Sequence, residues 1–209
     1  MVGGTGLYIK AFCEGLDEIP AVDAAVRRNI VDSYKKNGLS WLQNEVREKD
    51  PAFFMSGENK NPQRLMRAFE VIVATGRSIT SFRTSQKKAR PFRIIKLGIN
   101  LSKEKLVANI DARVDAMISA GLVDEVRALL PYRHLNALQT VGYNELFSFL
   151  DGQLSLEQAT TQIKSNTRQY AKRQLTWFKK DASIIWVDRT FLTKKDAFQA
   201  MLAAVSAAG

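Results

Sequence analysis

Apolar positions recur at helical spacing along most of the chain. Val26, Ile30 and Tyr34 form one stripe, on a helix that Asp23 caps and that runs to about Asn37 before Gly38 stops it. Ser40 starts a second helix through Trp41 and Val46, and Asp50-Pro51 breaks it. Asn61-Pro62 opens a third, a cap followed by proline at the first helical position, and Gly76 closes it. In that helix Leu65, Ala68, Phe69 and Ile72 face the core, Gln63, Arg67 and Glu70 face the other way, and Arg64 lies on the border. Residues 17–84 thus form a small all-helical unit, in which Arg27 borders the first stripe.

A basic linker, 86–91 (QKKARP), leads to 92–100 (FRIIKLGIN), whose β-branched, alternating pattern predicts a strand. Ser102 then caps a helix with the stripe Leu106, Ile110, Val114 and Met117 and the stop Gly121, and residues 122–130 form another, ended by Pro131. A loop at 138–143 enters a helix around Leu146 and Phe149. Ser155 with Gln158 is a capping box for a long helix, residues 183–188 (SIIWVD) are a short buried strand, and 194–208 a terminal amphipathic helix. Strands and helices alternate at both ends of the chain. The class is α/β, mostly helical, with no internal repeat and no low-complexity tract.

The long helix, 158–180 (QATTQIKSNTRQYAKRQLTWFKK), contains no acid and six cations: Lys164, Arg168, Lys172, Arg173, Lys179 and Lys180. Lys164, Arg168, Lys172 and Lys179 fall within roughly 80° of arc, beside an apolar face of Ile163, Tyr170, Ala171, Trp177 and Phe178. Like charges four residues apart destabilise an isolated helix by a few tenths of a kcal/mol each, roughly. An outside anion would remove that penalty, as would carboxylates from other segments or simple solvation. With the aromatics assigned to the core face, nucleic acid is the expected polyanion rather than a membrane.

The whole composition leans the same way. Thirty-one Lys and Arg against 21 Asp and Glu give a net charge of +10. The 45% hydrophobic content excludes a disordered chain. One cysteine, Cys13, excludes an internal disulfide framework and fits a reducing cytosol; one histidine, His134, leaves no histidine-based metal site. No run approaches the roughly 18 apolar residues of a membrane span.

Two further features carry candidate chemistry. The opening Val2-Gly3-Gly4-Thr5-Gly6-Leu7-Tyr8 leads into a short helix ending near Gly15. Such a turn can hold a phosphate on its backbone N–H groups, or be an ordinary flexible terminus. The buried strand that should precede it is missing, so the amino end has the look of a piece cut from a larger α/β unit. Arg113 borders its helix's apolar stripe with Asn109, Ile110, Ala116 and Met117 at the neighbouring helical positions, and so needs a tertiary carboxylate or a ligand anion.

The opening glycine block, then Gln63-Arg64-Leu65-Met66-Arg67-Ala68, Gly121-Leu122-Val123-Asp124-Glu125-Val126, Gln139-Thr140-Val141-Gly142-Tyr143, and Thr167-Arg168-Gln169-Tyr170-Ala171-Lys172-Arg173-Gln174-Leu175-Thr176-Trp177 together resemble tRNA dimethylallyltransferases, also called tRNA isopentenyltransferases. Order and spacing agree from Val2 to about Asp188, and the last block is the most specific. The resemblance implies transfer of a dimethylallyl group from dimethylallyl diphosphate to the exocyclic amine of the adenine beside the anticodon, in tRNAs reading codons that begin with U. It implies an incomplete P-loop NTPase-like core made of 1–16 and 85–209, with the basic helix at 155–181, and a helical insertion, 17–84, that grips the anticodon stem. It places Thr5 near the target base and diphosphate, and Arg113 on the diphosphate. Arg27, Gln63, Arg64, Leu65, Met66 and Arg67, the loop Gln139, Thr140, Val141, Gly142 and Tyr143, and the helix residues Arg168, Lys172 and Arg173 would meet tRNA. The complete enzyme is expected to be monomeric, cytoplasmic and magnesium-dependent.

The chain departs from that pattern in three places. It has no GxxxxGK[ST] loop, which in the family cradles the diphosphate with magnesium, and it lacks the family's Asp-Ser segment, whose aspartate is the expected general base. Asn109 stands where many relatives carry arginine. The magnesium site is therefore expected outside these residues, and the chain alone is expected to bind RNA weakly, not to prenylate, and to expose a sheet edge and apolar surface. A stand-alone tRNA-binding module without catalysis is the alternative, and a helical scaffold whose charge only aids solubility is a third reading.

Overall fold

The computed structural model describes residues 1–84 and 86–208, with Ala208 described by its backbone. The chain divides into two compact units, one formed by Met1–Ile9 with Phe92–Gly209 and the other by Lys10–Pro91. Their seam falls within the first helix, α1 (Gly6–Glu14).

The Lys10–Pro91 unit holds α2 (Ala24–Lys49), α3 (Pro51–Met55) and α4 (Pro62–Thr75). Asp23 caps α2 by accepting from the Ala25 N–H, and Gly38, at φ 77° and ψ −171°, breaks it in the middle. Two helices therefore meet at that kink, as expected on either side of Gly38. Asn61 Oδ1 accepts from the Gln63 and Arg64 N–H groups, Pro62 occupies the first turn, and Gly76 ends α4 in the left-handed conformation. Leu42, Val46, Phe53, Leu65 and Val71 are fully buried in the core of this unit. Each large side chain taken out of water there contributes about 1.5–3 kcal/mol.

In the other unit, β1 (Lys96–Asn100) and β2 (Ile184–Asp188) pair in parallel, Lys96 opposite Ile184 through Asn100 opposite Asp188. Between them run α5 (Lys103–Ser119), α6 (Leu122–Ala128), α7 (Tyr143–Leu150) and α8 (Leu156–Phe178), and α9 (Lys194–Ala208) follows β2. The first strand is shorter than the expected 92–100 because pairing with β2 ends at Lys96. Likewise α6 stops at Ala128, since Leu129 leaves helical geometry and Pro131 sits in a short 3-10 turn. Val126, Leu146, Ala159, Ile163 and Val114 form the core of this helical layer. Ile99 and Ile185 remain exposed on the two strands, and Phe198, Leu202 and Val205 on α9. Purely parallel sheets are ordinarily covered on both faces. No helix of the described residues is long and apolar enough to cross a membrane.

The open end of the sheet is stapled by Asp181, which accepts from Lys96 Nζ at 2.6 Å and from the Ser183 hydroxyl and N–H at 2.6 and 2.9 Å. The lysine bond first, and then Ser183, lower its pKa to about 2. In the unfolded chain the group titrates near 3.8, so the unfolded state takes up the proton first as pH falls. The stabilisation is full above about pH 4 and is lost as pH falls through about 2. Asp181→Asn should be less stable than the wild type at pH 7, and urea unfolding curves should show the gap closing between pH 4 and 2.

Candidate nucleic-acid interface

Helix α8 starts where the capping box expects it: the Gln158 N–H donates to Ser155 Oγ at 3.1 Å, and Gln158 Oε1 accepts the Ser155 N–H at 2.8 Å. Ala159 and Ile163 bury its first half. That half is not the uncompensated row expected from its own residues. Lys164 Nζ lies 2.6 Å from Asp115, and Arg168 Nη2 donates to both oxygens of Asp111 at 2.5 Å. The reason is a matched spacing. Asp111 and Asp115 are four apart on α5, Lys164 and Arg168 are four apart on α8, and the two helices pack side by side, so each cation meets an anion.

The second half differs. Lys172, Lys179 and Lys180 have no ion pair among the described residues, and Arg173 has none either, its guanidinium lying 5.8 Å from the centre of the Tyr170 ring. Tyr170 and Trp177, expected in the core, are 43% and 46% exposed, because the buried stripe ends near Ala171. Lys172, Arg173, Thr176, Trp177 and Lys180 line an open groove of about 230 Å³. The glycine turn packs against the same stretch. Gln174 Nε2 donates to the Gly4 carbonyl at 2.9 Å, and a Cβ on Gly6 would come within 2.3 Å of the Trp177 indole. Only glycine permits that approach. Thr5, exposed between the two glycines, gives its carbonyl to the N–H groups of Tyr8 and Ile9 and so starts α1.

Arg113 is exposed and has neither hydrogen bond nor ion pair among the described residues. It stands two positions from Asp111 and from Asp115, about 200° around α5, so it leaves by the opposite edge from the one that meets α8. The structure therefore joins Thr5 to the free half of α8 and, among the described residues, joins Arg113 to it by no hydrogen bond or ion pair.

The loop at 139–143 is held from below by Glu145, only 6% exposed. Its carboxylate accepts the Gly142 N–H at 2.7 Å and Asn166 Nδ2, from α8, at 2.6 Å. Gly142 sits at φ 101°. Gln139 and Thr140 are exposed, while Val141 and Tyr143 pack partly into the core and the Tyr143 hydroxyl donates to Glu125. That bond is the first cause of a raised Tyr143 pKa.

In the Lys10–Pro91 unit, Leu65 is fully buried and Met66 nearly so, which corrects their expected contact with RNA: their side chains belong to the core. Gln63 and Arg64, in the first turn of α4, remain exposed. Glu70 also departs from its expected outward position. It is 3% exposed, because Arg67 Nη1 at 3.1 Å and Arg27 Nε at 3.7 Å cover both of its oxygens. Arg64 pairs with Glu58 at 3.2 Å.

Sequence reasoning missed Glu70, Glu145, the two α5 aspartates and the exposure of Trp177. Signals for some of these exist: Glu70 interrupts the apolar run Ala68-Phe69-Glu70-Val71, and Glu145 follows Gly142 at capping-box spacing. No three His, Cys, Asp or Glu of the described residues group closely enough to hold a metal ion.

Residues 1–181 match the family model described as IPP transferase. The chain is 48% identical over 186 residues to tRNA dimethylallyltransferase 1 of Bacteroides thetaiotaomicron, covering 89% of this chain and 60% of that one. It is 48% identical over 188 residues to tRNA dimethylallyltransferase of Christiangramia forsetii, covering 90% and 62%. It thus spans about three fifths of the length of these curated relatives. Among solved structures, the full-length tRNA isopentenylpyrophosphate transferase of Bacillus halodurans matches with a TM-score of 0.62 and 31% identity, over 99% of this chain and 65% of that one. The Staphylococcus epidermidis tRNA delta(2)-isopentenylpyrophosphate transferase matches with a TM-score of 0.60 and 25% identity, over 100% and 69%. The blocks that suggested the resemblance all lie inside the matched span, and the chain belongs to the IPP transferase family.

Proposed function

We propose that this chain serves the transfer of a dimethylallyl group from dimethylallyl diphosphate to the exocyclic amine of the adenine 3′ to the anticodon, in tRNAs reading codons that begin with U. The observation that carries the reading is the free cationic half of α8, Lys172, Arg173, Lys179 and Lys180, lying against the turn that presents Thr5. An RNA backbone would supply the anions that the fold withholds from these side chains. The amine nitrogen attacks the allylic carbon, the carbon–oxygen bond breaks, and diphosphate leaves with the bonding electrons. The amine proton passes to a base that these residues do not include.

The remaining assignments follow the family resemblance. Thr5 would stand beside the flipped adenine, whose unstacking costs a few kcal/mol, roughly. Arg113, with no ion pair among the described residues, would hold the diphosphate. Arg27, Gln63, Arg64 and Arg67 would grip the anticodon stem from the helical insertion, and Gln139 and Thr140 would add loop contacts. The core would be P-loop NTPase-like, and the complete enzyme a cytoplasmic monomer whose magnesium is held elsewhere. The 209 residues contain no GxxxxGK[ST], which also favours the second reading, a tRNA-binding module without catalysis.

Labelled dimethylallyl transfer to an anticodon stem-loop separates these. The chain alone should show no turnover, and turnover should appear once a polypeptide carrying GxxxxGK[ST] from a relative is supplied. Turnover by the chain alone would overturn the assignment of the diphosphate loop to other residues. Salt-dependent RNA binding with no turnover in either arrangement would favour the binding module.

A further inference from the structure

Glu70 is a carboxylate that a helix in a small core has little reason to bury. Its side chain is 4% exposed, yet those of its two partners are 66% (Arg27) and 39% (Arg67) exposed. One anion therefore lies under two guanidiniums, leaving one net positive charge at the surface. Arg67 is held on a second side, its Nη2 donating to the Pro20 carbonyl at 3.5 Å. The two arginines come from different helices, α2 and α4, so neither helix alone sets their spacing.

From this geometry we infer that Glu70 is a positioning residue for RNA binding. It holds Arg27 and Arg67 as a preformed fork for a backbone phosphate, an inference that rests on the proposed tRNA grip of this unit. A free arginine side chain loses rotamer freedom when it clasps a phosphate. A pair already fixed from beneath loses less, and its exposed N–H groups stay turned outward because Arg67 Nη1 donates to Glu70 and Arg27 Nε lies 3.7 Å from it.

The sign of one substitution separates positioning from mere charge balance. Glu70→Gln keeps the shape and raises the net charge by one. Were charge the whole effect, the variant would bind RNA more tightly. Positioning requires the opposite: affinity for an anticodon stem-loop falls about tenfold, while the slope of log K against log salt stays unchanged because no cation is lost. In an Arg27→Ala/Arg67→Ala background the same substitution should have no effect on binding. Unchanged or tighter binding by Glu70→Gln would overturn the inference, as would a loss that persists without the arginines, which would mark a folding defect. Wild-type protein that binds no stem-loop even at low salt would sink the RNA-binding reading itself, a result separable from either.

Discussion

Replacing Lys172, Arg173 and Lys180 together by alanine should lower affinity for an anticodon stem-loop about a hundredfold near 0.1 M salt. It should also flatten the slope of log K against log salt by about three, one for each cation lost. Fluorescence titration at several salt concentrations measures both. The effect is large because none of the three has an anion among the described residues, so each full charge is available to phosphate. The neighbouring pair makes the control. Lys164→Ala with Arg168→Ala removes two charges from the same helix, but both already face Asp115 and Asp111. That double variant should shift the slope by less than one and act mainly on the packing of α5 against α8. Equal losses from the two sets would mean that bulk charge, not the free half of α8, governs binding.

This division within one helix shows where sequence reading stops. The caps at Asp23, Asn61, Ser102 and Ser155 were legible because a cap is a local bond between a side chain and N–H groups two or three residues on. The stops at Gly38, Gly76 and Gly121 were legible for a similar reason, since each needs a positive φ. The cationic row was legible as composition but not as electrostatics. Its compensation depends on which helix lies alongside, and Asp111 and Asp115 are 57 and 49 positions away from their partners. Tyr170 and Trp177 fail for the same reason: helical angle places them beside Ala171, yet only the end of the neighbouring helices decides where burial stops. The family resemblance reached the loop at 139–143 and the 63–67 segment as blocks of sequence. It could not sort them, and burial does: Leu65 and Met66 turn inward while Gln63 and Arg64 stay out.

The carboxylate under that loop leads to the second large effect. Glu145 sits in the core layer with both oxygens engaged, one by the Gly142 N–H and one by Asn166 of α8. Alanine there leaves a buried backbone N–H and a half-buried amide without acceptors, and an unsatisfied buried donor costs about 1–3 kcal/mol. Glu145→Ala should therefore lose about 3 kcal/mol in urea unfolding, seen as a lower midpoint at unchanged slope. Glutamine behaves differently, because its amide oxygen can serve Gly142 while its NH₂ meets the oxygen of an Asn166 amide turned by half a rotation. Glu145→Gln should stay within about 1 kcal/mol of the wild type. Amide exchange at Gly142 supplies a local test, since that N–H loses its Glu145 acceptor in the alanine variant and retains one in the glutamine variant. Fast exchange confined to alanine, with RNA affinity falling alongside it, would tie the order of the loop to the binding surface. An alanine variant as stable as the wild type would mean that the buried carboxylate holds nothing that its neighbours do not already hold.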